Sequence, residues 1–272
     1  MKTFLAKTVA DTLALAPKPG LFGVEVEVEG SAILPREINN SWVVTRDGSL
    51  RGEAYEYVFS RPLGKEDTVL EVKELYRQLN GKVTDSMRAG AHVHVNCLEL
   101  TMRELFTFIA AYYCFEDLLT EDLGEERQGN LFCLRLSDAD YSSAAIMQCL
   151  SDRNLTLRSG IFTNAGLRYA ALNLVSLSKF GSLEFRAMKT PQTPEPLLDW
   201  IDLLGTMKEQ SKLYANPSEL LGAFSANGGT AVAEVLLGKH AARQIAKPNF
   251  ERSLFEGIRA IQHWVFLNSW EK

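Results

Sequence analysis

The stretch "GVEVEVEG", residues 23–30, places three glutamates at alternate positions of a valine-rich run. Valine favours the β-strand, in which successive side chains point to opposite faces of the sheet. Glu25, Glu27 and Glu29 are therefore expected on one face, about 7 Å apart along the strand. Like charges at that spacing repel each other and are costly to bury without compensation. The pattern predicts a strand whose polar face meets a positively charged group.

Three other strand-like segments also carry charged or metal-binding residues. The residues are Glu53 and Glu56 in "EAYEYVFS", His92, His94 and Asn96 in "AGAHVHVN", and Glu184 and Arg186 in "SLEFRAMK". A solvated sheet face usually mixes polar residue types, whereas here carboxylates and histidines dominate and lysine is absent. Oxygen-rich clusters of this composition suit Mg²⁺ or Mn²⁺. If the four strands adjoin, the sequence predicts a divalent-cation site on their shared face.

The remaining segments predict helices around these strands. Apolar residues recur at helical spacing in "KEDTVLEVKELYRQLNG", and Thr101 with Glu104 forms a capping-box pattern before "LFTFIAAYYCFEDLL". Another helix is predicted in "DADYSSAAIMQCLSD", a strand in "RYAALNLVSL", and only helices from residue 193 onward. The acidic run at 121–127 is interpreted as a helix end and a solvated loop. The pattern favours one α+β domain over residues 1–272.

Composition narrows the classes of function. The 272 residues are 46% hydrophobic and 23% charged, and the net charge of -5 argues against a broad basic surface for nucleic acid, although not against a local groove. Cys97, Cys114, Cys133 and Cys149 are widely spaced, which indicates reduced thiols. Charged residues interrupt the apolar N-terminal run, and no stretch approaches a membrane span. We expect a cytoplasmic protein without a membrane partner.

The order of five motifs resembles the amidoligase family, part of the carboxylate–amine ligase superfamily with glutamine synthetase and glutamate–cysteine ligase. The motifs are "FGVEVEVEG", "RDGSLRGEAYEYVFSRPL", "AGAHVHVN", "LRYAALNL" and "SLEFRAMK", over about residues 22–190. The resemblance implies an antiparallel sheet curved into a half-barrel, like the catalytic domain of glutamine synthetase. Helices would pack on its convex side, with a helical C-terminal portion at about 194–272. Phe59 and Arg61 depart from the family pattern.

The resemblance also implies which residues form the site. It implies a concave face that binds ATP and two or three Mg²⁺ ions, with Mn²⁺ as a substitute. The implied metal ligands are Glu25, Glu27, Glu56, His92 and Glu184; the nucleotide-binding residues are His92, Arg186, Arg168 and Asn96; the catalytic residues are Arg186, Arg168, His94 and Asp47. Asn173 is a supporting group. Alternatives stay open: Asp47 as a plain turn former, Glu53 as a ligand, Glu29 as a solvated strand end, and Arg158 or Arg135 in the role of Arg168.

The implied activity is an ATP- and Mg²⁺-dependent ligation of a carboxylate to an amine through an acyl phosphate. Such chemistry needs positioning and charge neutralisation more than a protein nucleophile, and the phosphate-binding pattern GxxxxGK[ST] is absent from the sequence. Two alternatives remain. One is a metal-dependent hydrolase or oxygenase that uses the "HVH" strand without nucleotide, and the other is a non-catalytic binding module. The implied partners are a small-molecule or peptide carboxylate and an amine, and the sequence specifies neither substrate further.

Overall fold

The computed structural model describes residues 3–124, 127, 130–131, 133–139, 141–156 and 158–270. The strands are β1 (Phe22–Gly30), β2 (Trp42–Thr45), β3 (Glu53–Phe59), β4 (Gly90–Asn96), β5 (Leu172–Asn173) and β6 (Ser182–Lys189). Within the described residues they form one six-stranded sheet in the order β2-β3-β1-β4-β6-β5. Every neighbouring pair is antiparallel, and the sheet does not close into a barrel. The α+β class is confirmed.

Helices precede, separate and follow the strands. They are α1 (Val9–Leu13), α2 (Lys65–Leu79), α3 (Met102–Thr120), α4 (Tyr141–Asp152), α5 (Gly160–Thr163), α6 (Ser176–Phe180), α7 (Pro194–Ser211), α8 (Pro217–Asn227), α9 (Gly229–Leu237), α10 (Ala241–Ile245) and α11 (Phe250–Phe266). Short 3₁₀ turns lie at Phe4–Ala6, Glu121–Leu123, Leu136–Asp138, Ala165–Tyr169 and Gly238–His240. The helical C-terminal portion is confirmed. Among the described helices, none has the length and apolar character needed to cross a membrane.

One face of the sheet is apolar and carries the core. The three valines of β1 are almost fully buried there, as is Phe185 of β6. The Phe185 ring lies 5.8 Å from the ring of Phe108 and 4.9 Å from that of Tyr112, both on α3, and 6.3 Å from that of Trp200 on α7. Helices α3 and α7 therefore cover this face. The glutamates of β1 lie on the opposite face, which these two helices do not cover.

Helix α3 begins with the capping box that the sequence predicts. The Thr101 hydroxyl accepts the backbone N–H of Glu104 at 3.2 Å, and the Glu104 carboxylate accepts the backbone N–H of Thr101 at 2.8 Å. We expect Thr101→Ala to lower the free energy of unfolding by about 1 kcal/mol, because an N-terminal N–H loses its acceptor. Urea unfolding followed by circular dichroism measures this change. Thr101→Ser, which retains the hydroxyl, should stay close to the wild type.

One predicted strand is largely wrong. In "RYAALNLVSL" only Leu172 and Asn173 pair with β6, because Asn164 caps a 3₁₀ turn that includes Arg168 and because α6 begins at Ser176. The alternating apolar residues of this segment fit a strand, but the Asn164 cap on one side and the Asn173 side chain, which accepts the backbone N–H of Val175 at 2.9 Å, on the other keep the strand short. Gly181 ends α6 with a φ of 68°, and β6 begins at the next residue.

Candidate active site

The strand register brings the predicted site residues onto one face. Glu25 of β1 lies opposite His92 of β4, and Glu27 lies opposite Glu56 of β3. On the far side of β4, His94 lies opposite Glu184 of β6. The four strands therefore adjoin, which is the condition on which the predicted cation site depends, and the residues on this face form two groups of possible metal ligands.

The first ligand group consists of Glu25, His94 and Glu184, whose ligand atoms all lie within 4.8 Å of one another. Glu25 Oε1 is 3.1 Å from His94 Nε2, and Glu25 Oε2 is 3.2 Å from His92 Nδ1. Burial alone would raise the pKa of the Glu25 carboxyl, but hydrogen bonds from both histidines hold this pKa well below its usual range. Burial likewise opposes ionisation of Glu184, whereas His94 and Arg186 keep the pKa of its carboxyl lowered.

The second ligand group consists of Glu27, Asp47 and Glu56, again with ligand atoms within 4.8 Å. Glu27 is buried and accepts the backbone N–H of Gly90 at 2.7 Å. Asp47 accepts the backbone N–H of Ser49 at 2.6 Å, so it both closes the turn and faces the other two carboxylates. Burial, followed by the charge of Glu25, raises the pKa of Glu56 to about 7, and the Thr45 hydroxyl at 3.2 Å opposes this only partly.

The raised pKa of Glu56 gives a prediction about stability and pH. Its pKa is about 7 in the folded chain and near 4.5 in the unfolded chain, so its contribution to stability is present below pH 4.5 and is lost as the pH rises through 7. We expect Glu56→Gln to have a higher melting temperature than the wild type at pH 8 without divalent ions. Millimolar Mg²⁺ should reverse that order, because the ion stabilises only the ionised carboxylate. Scanning calorimetry at pH 5 and pH 8 measures both effects.

Two arginines, the buried Arg127 and the partly buried Arg186, border the ligand groups. Arg186 forms an ion pair with Glu184, and its Nη1 lies 3.4 Å from His92 Nδ1. Arg127 donates from Nη2 to the backbone carbonyl of Arg186 at 2.9 Å and is 4% exposed. The Nε atoms of both arginines are buried and have no acceptor among the described residues. Anions are the groups that such paired guanidinium donors bind most strongly.

Arg127 is a site residue that the sequence analysis missed. It belongs to the acidic run at 121–127, interpreted as a solvated loop, which is wrong for this residue. Gly124, with a φ of 119°, lets the chain approach Lys189 closely, and its carbonyl accepts the backbone N–H of Arg127 at 3.0 Å. The signal in the sequence is faint: a glycine within the acidic run and one arginine after it.

A second set of side chains holds Glu184 in place. Asn173 donates from its amide to Glu184 Oε2 at 2.7 Å, and the Ser176 hydroxyl donates to the same oxygen at 2.6 Å. His94 Nδ1 lies 3.2 Å from the Ser182 hydroxyl. Asn173 thus occupies the supporting position that the sequence analysis gave it.

Other proposed site residues have different neighbours. Arg168 is exposed on its 3₁₀ turn, where its guanidinium stacks over the Tyr169 ring at 4.7 Å. Asn96 donates its amide to the backbone carbonyls of Lys18 and Gly20, at 3.1 and 2.8 Å. Asn96 therefore positions the segment before β1. Arg135 pairs with Asp117 and Asp138 instead of the ligand groups.

The two remaining glutamates hold loops. Glu29 accepts the backbone N–H of Arg51 and the hydroxyl of Ser86, both at 2.7 Å. Glu53 accepts the backbone N–H of Leu34 at 3.3 Å. Neither belongs to a ligand group among the described residues. The third glutamate of "GVEVEVEG" is thus a loop anchor and not a solvated strand end.

The donor set fits hard divalent cations. Five carboxylates and one imidazole make up the two groups, and Mg²⁺ and Mn²⁺ prefer oxygen ligands with occasional nitrogen. His92 supports the first group through Glu25 and does not belong to it in this arrangement.

The sequence profile of a family described as "Putative amidoligase enzyme" matches residues 40–191, more than half of the chain. The matched span contains Glu56, His92, His94, Glu184 and Arg186 and begins after β1. No protein of curated function matches the chain.

Proposed function

Because this chain belongs to the amidoligase family, we propose that it is an ATP-dependent ligase that joins a carboxylate to an amine. In the proposed reaction a carboxylate oxygen attacks the γ-phosphorus of ATP and ADP leaves. The amine nitrogen then attacks the acyl carbon, phosphate leaves with the acyl bond electrons, and the nitrogen loses a proton. The product is an amide or isopeptide. The observation that carries this proposal is the pair of ligand groups side by side on one sheet face.

We assign the metal-binding role to the two ligand groups. Glu25, His94 and Glu184 would hold one divalent ion, and Glu27, Asp47 and Glu56 a second. Bound Mg²⁺ would neutralise charge on the phosphate oxygens. The low pKa of Glu25 and Glu184 keeps both carboxylates ionised and ready to coordinate at neutral pH.

We assign the phosphate-binding role to Arg127 and Arg186. Both guanidinium groups are fixed before any ligand binds, Arg127 by the Arg186 carbonyl and Arg186 by Glu184. Their free Nε donors lie in a buried, low-dielectric setting, which strengthens a hydrogen bond to an anion. Pre-oriented charge of this kind stabilises phosphoryl transfer without reorganisation. The proposal assigns no direct contact with phosphate to Arg168 or Asn96.

We further propose that the sheet is the half-barrel of the superfamily, with a glutamine-synthetase-like catalytic face. In this view residues 1–272 form one catalytic domain, with the motif-bearing segment at about 22–190 and the helical portion at about 194–272. Helices α3 and α7 on the apolar face support this arrangement, because they leave the ligand groups open to substrates.

Hydroxylamine trapping tests the reaction class without knowledge of the amine. Purified protein is incubated with ATP, Mg²⁺, hydroxylamine and a panel of carboxylates, and hydroxamate and ADP are measured. We expect ADP and hydroxamate to form in equal amounts with at least one carboxylate, and neither to form without Mg²⁺. The absence of ATP binding in millimolar Mg²⁺ would contradict the proposal.

A further inference from the structure

A cavity of about 410 Å³ opens beside the first ligand group. Glu25 and His94 line its inner end, so that the cavity leads directly to the ligand group. Gly23 lies opposite His94 across the strands, and a Cβ there would come within 3.2 Å of His94 Cβ. The glycine therefore keeps the inner end open. The volume falls within the range of small-molecule sites.

The walls of the cavity are mainly apolar. Val58 of β3 lies opposite Glu25 in the strand register and lines the cavity. Phe180 also lines it, with its ring 5.7 Å from the His94 ring, and is 48% exposed. Pro62 continues the wall. A ligand that fills the cavity is expected to have an apolar body, because these surfaces offer few hydrogen-bonding partners.

The outer part of the cavity is cationic. Lys18 and Arg61 both line it and are both exposed. Lys18 Nζ lies 5.4 Å from the centroid of the Phe180 ring, which holds the ammonium at the edge of the cavity. Among the described residues, no carboxylate forms an ion pair with Lys18 or Arg61. Two unpaired cations on an apolar cavity are a recognition site for an anion.

From this arrangement we propose that the cavity binds the carboxylate substrate, a molecule with an apolar body and a second anionic group that Lys18 and Arg61 recognise. This proposal rests on the proposed ligase function for the identity of the reacting end, which lies towards Glu25 and His94. Lys18 and Arg61 are then specificity residues. Arg61, one of the departures from the family pattern, would restrict this chain to dianionic substrates.

Three dicarboxylate-like probes test separately whether the cavity requires a second negative charge and whether it requires a long apolar chain in the ligand. Suberate has two carboxylates on an apolar chain, suberamate has the same chain with one carboxylate, and glutarate has two carboxylates on a short chain. Binding is measured by titration calorimetry with Mg²⁺ and a non-hydrolysable ATP analogue present. We expect suberate to bind about tenfold more tightly than suberamate, because a charge-assisted hydrogen bond contributes that much. Glutarate should bind more weakly than suberate.

The variants Lys18→Gln and Arg61→Gln, alone and combined, test the two cations. The double variant should bind suberate only as tightly as the wild type binds suberamate. Arg259→Gln, an exposed arginine on α11 away from the sheet, is the matched control and should leave the preference unchanged. Each variant is checked for an unchanged melting temperature.

Several results would overturn the proposal: no binding of suberate, equal affinity for suberate and suberamate, glutarate binding as tightly as suberate, or an unchanged preference in the double variant. Displacement of suberate by adenosine would show that the cavity takes the nucleobase instead. Because these measurements need no turnover, they are independent of the ligase assay. If the protein binds suberate more tightly than suberamate but forms no hydroxamate, the proposed ligase function is refuted, whereas the proposed dianion-binding site is supported.

Discussion

Glu25→Gln is expected to reduce hydroxamate formation by about 10²–10³-fold while the protein stays folded. Glutamine has nearly the same shape as glutamate but lacks its charge. Glu25 belongs to the first ligand group and contacts both His94 and His92, at 3.1 and 3.2 Å, so its loss removes a ligand and releases both imidazoles. The reduction should appear in kcat for every carboxylate in the panel, because the defect lies at the shared phosphate-binding end.

Glu29→Gln is the matched control for Glu25→Gln. It changes the same residue type on the same strand face, but Glu29 accepts hydrogen bonds from Arg51 and Ser86 instead of facing the ligand groups. A glutamine keeps one partner, since its carbonyl accepts from the Arg51 N–H, whereas the Ser86 hydroxyl already accepts the backbone N–H groups of Arg88 and Ala89, so the lost contact weakens this loop and not the ligand groups. Activity should stay within about twofold of the wild type. Equal losses in the two variants would contradict the separate roles assigned to these glutamates.

Gly90→Ala is expected to lower activity by about 10²-fold, because displacement of reacting groups by about 1 Å has effects of that size. A Cβ at this position would lie 2.9 Å from Arg127 Nη2, 3.0 Å from His92 Nε2 and 3.4 Å from Glu27 Oε2. All three atoms are at the ends of side chains, which can move aside. The stability cost should therefore stay within about 1–3 kcal/mol, although the site itself is rearranged.

Gly222→Ala is the matched control for Gly90→Ala. Gly222 is exposed on α8 and a Cβ there meets no atom within 4 Å. Alanine should raise the free energy of unfolding by up to about 1 kcal/mol, because its helix propensity is higher than that of glycine. It should leave activity unchanged. Steady-state kinetics and urea unfolding are measured on both variants. A Gly90→Ala protein of full activity would contradict the placement of Arg127, His92 and Glu27 around one functional space.

The sheet face could be predicted because its signal is local and repeated. Alternation puts Glu25 and Glu27 on one side of a strand, and the same alternation does so for His92 and His94. Which strands adjoin is a long-range property that alternation does not contain. The motif resemblance supplied that information, and the register of β1 with β3 and β4 agrees with it.

Residues brought in by irregular segments could not be predicted. The acceptor of Arg127 is the carbonyl of Arg186, 59 positions away, a contact that no local pattern contains. Arg168 received its role from the resemblance of its motif, on a segment predicted as a strand that in fact spans only Leu172 and Asn173. Neither a long-range contact nor the caps that shorten a strand can be read from hydrophobic spacing.

Glu53 and Glu29 show a further limit on predicting metal ligands from the sequence. Both have the residue type and, for Glu29, the spacing of the metal-binding glutamates, but the loops at 31–34, 51 and 84–86 return to the sheet and bind them. Both carboxylate oxygens of Glu29 accept hydrogen bonds from loops, whereas Glu27 accepts one backbone N–H and still faces Asp47 and Glu56. The sequence does not show which carboxylates are compensated in this way.

The dependence of nucleotide binding on divalent ions tests the central claim most directly. Titration calorimetry with a non-hydrolysable ATP analogue is performed on the wild type and on Glu184→Gln, each with Mg²⁺ and with excess chelator. Glu184 is buried, belongs to the first ligand group and also forms the ion pair that holds Arg186, so the comparison with excess chelator is needed to separate its contribution through a bound ion. The proposed site predicts binding by the wild type with Mg²⁺, little binding with chelator, and at least tenfold weaker binding by the variant. Equal binding of the analogue with and without divalent ions, or by both proteins, would contradict it.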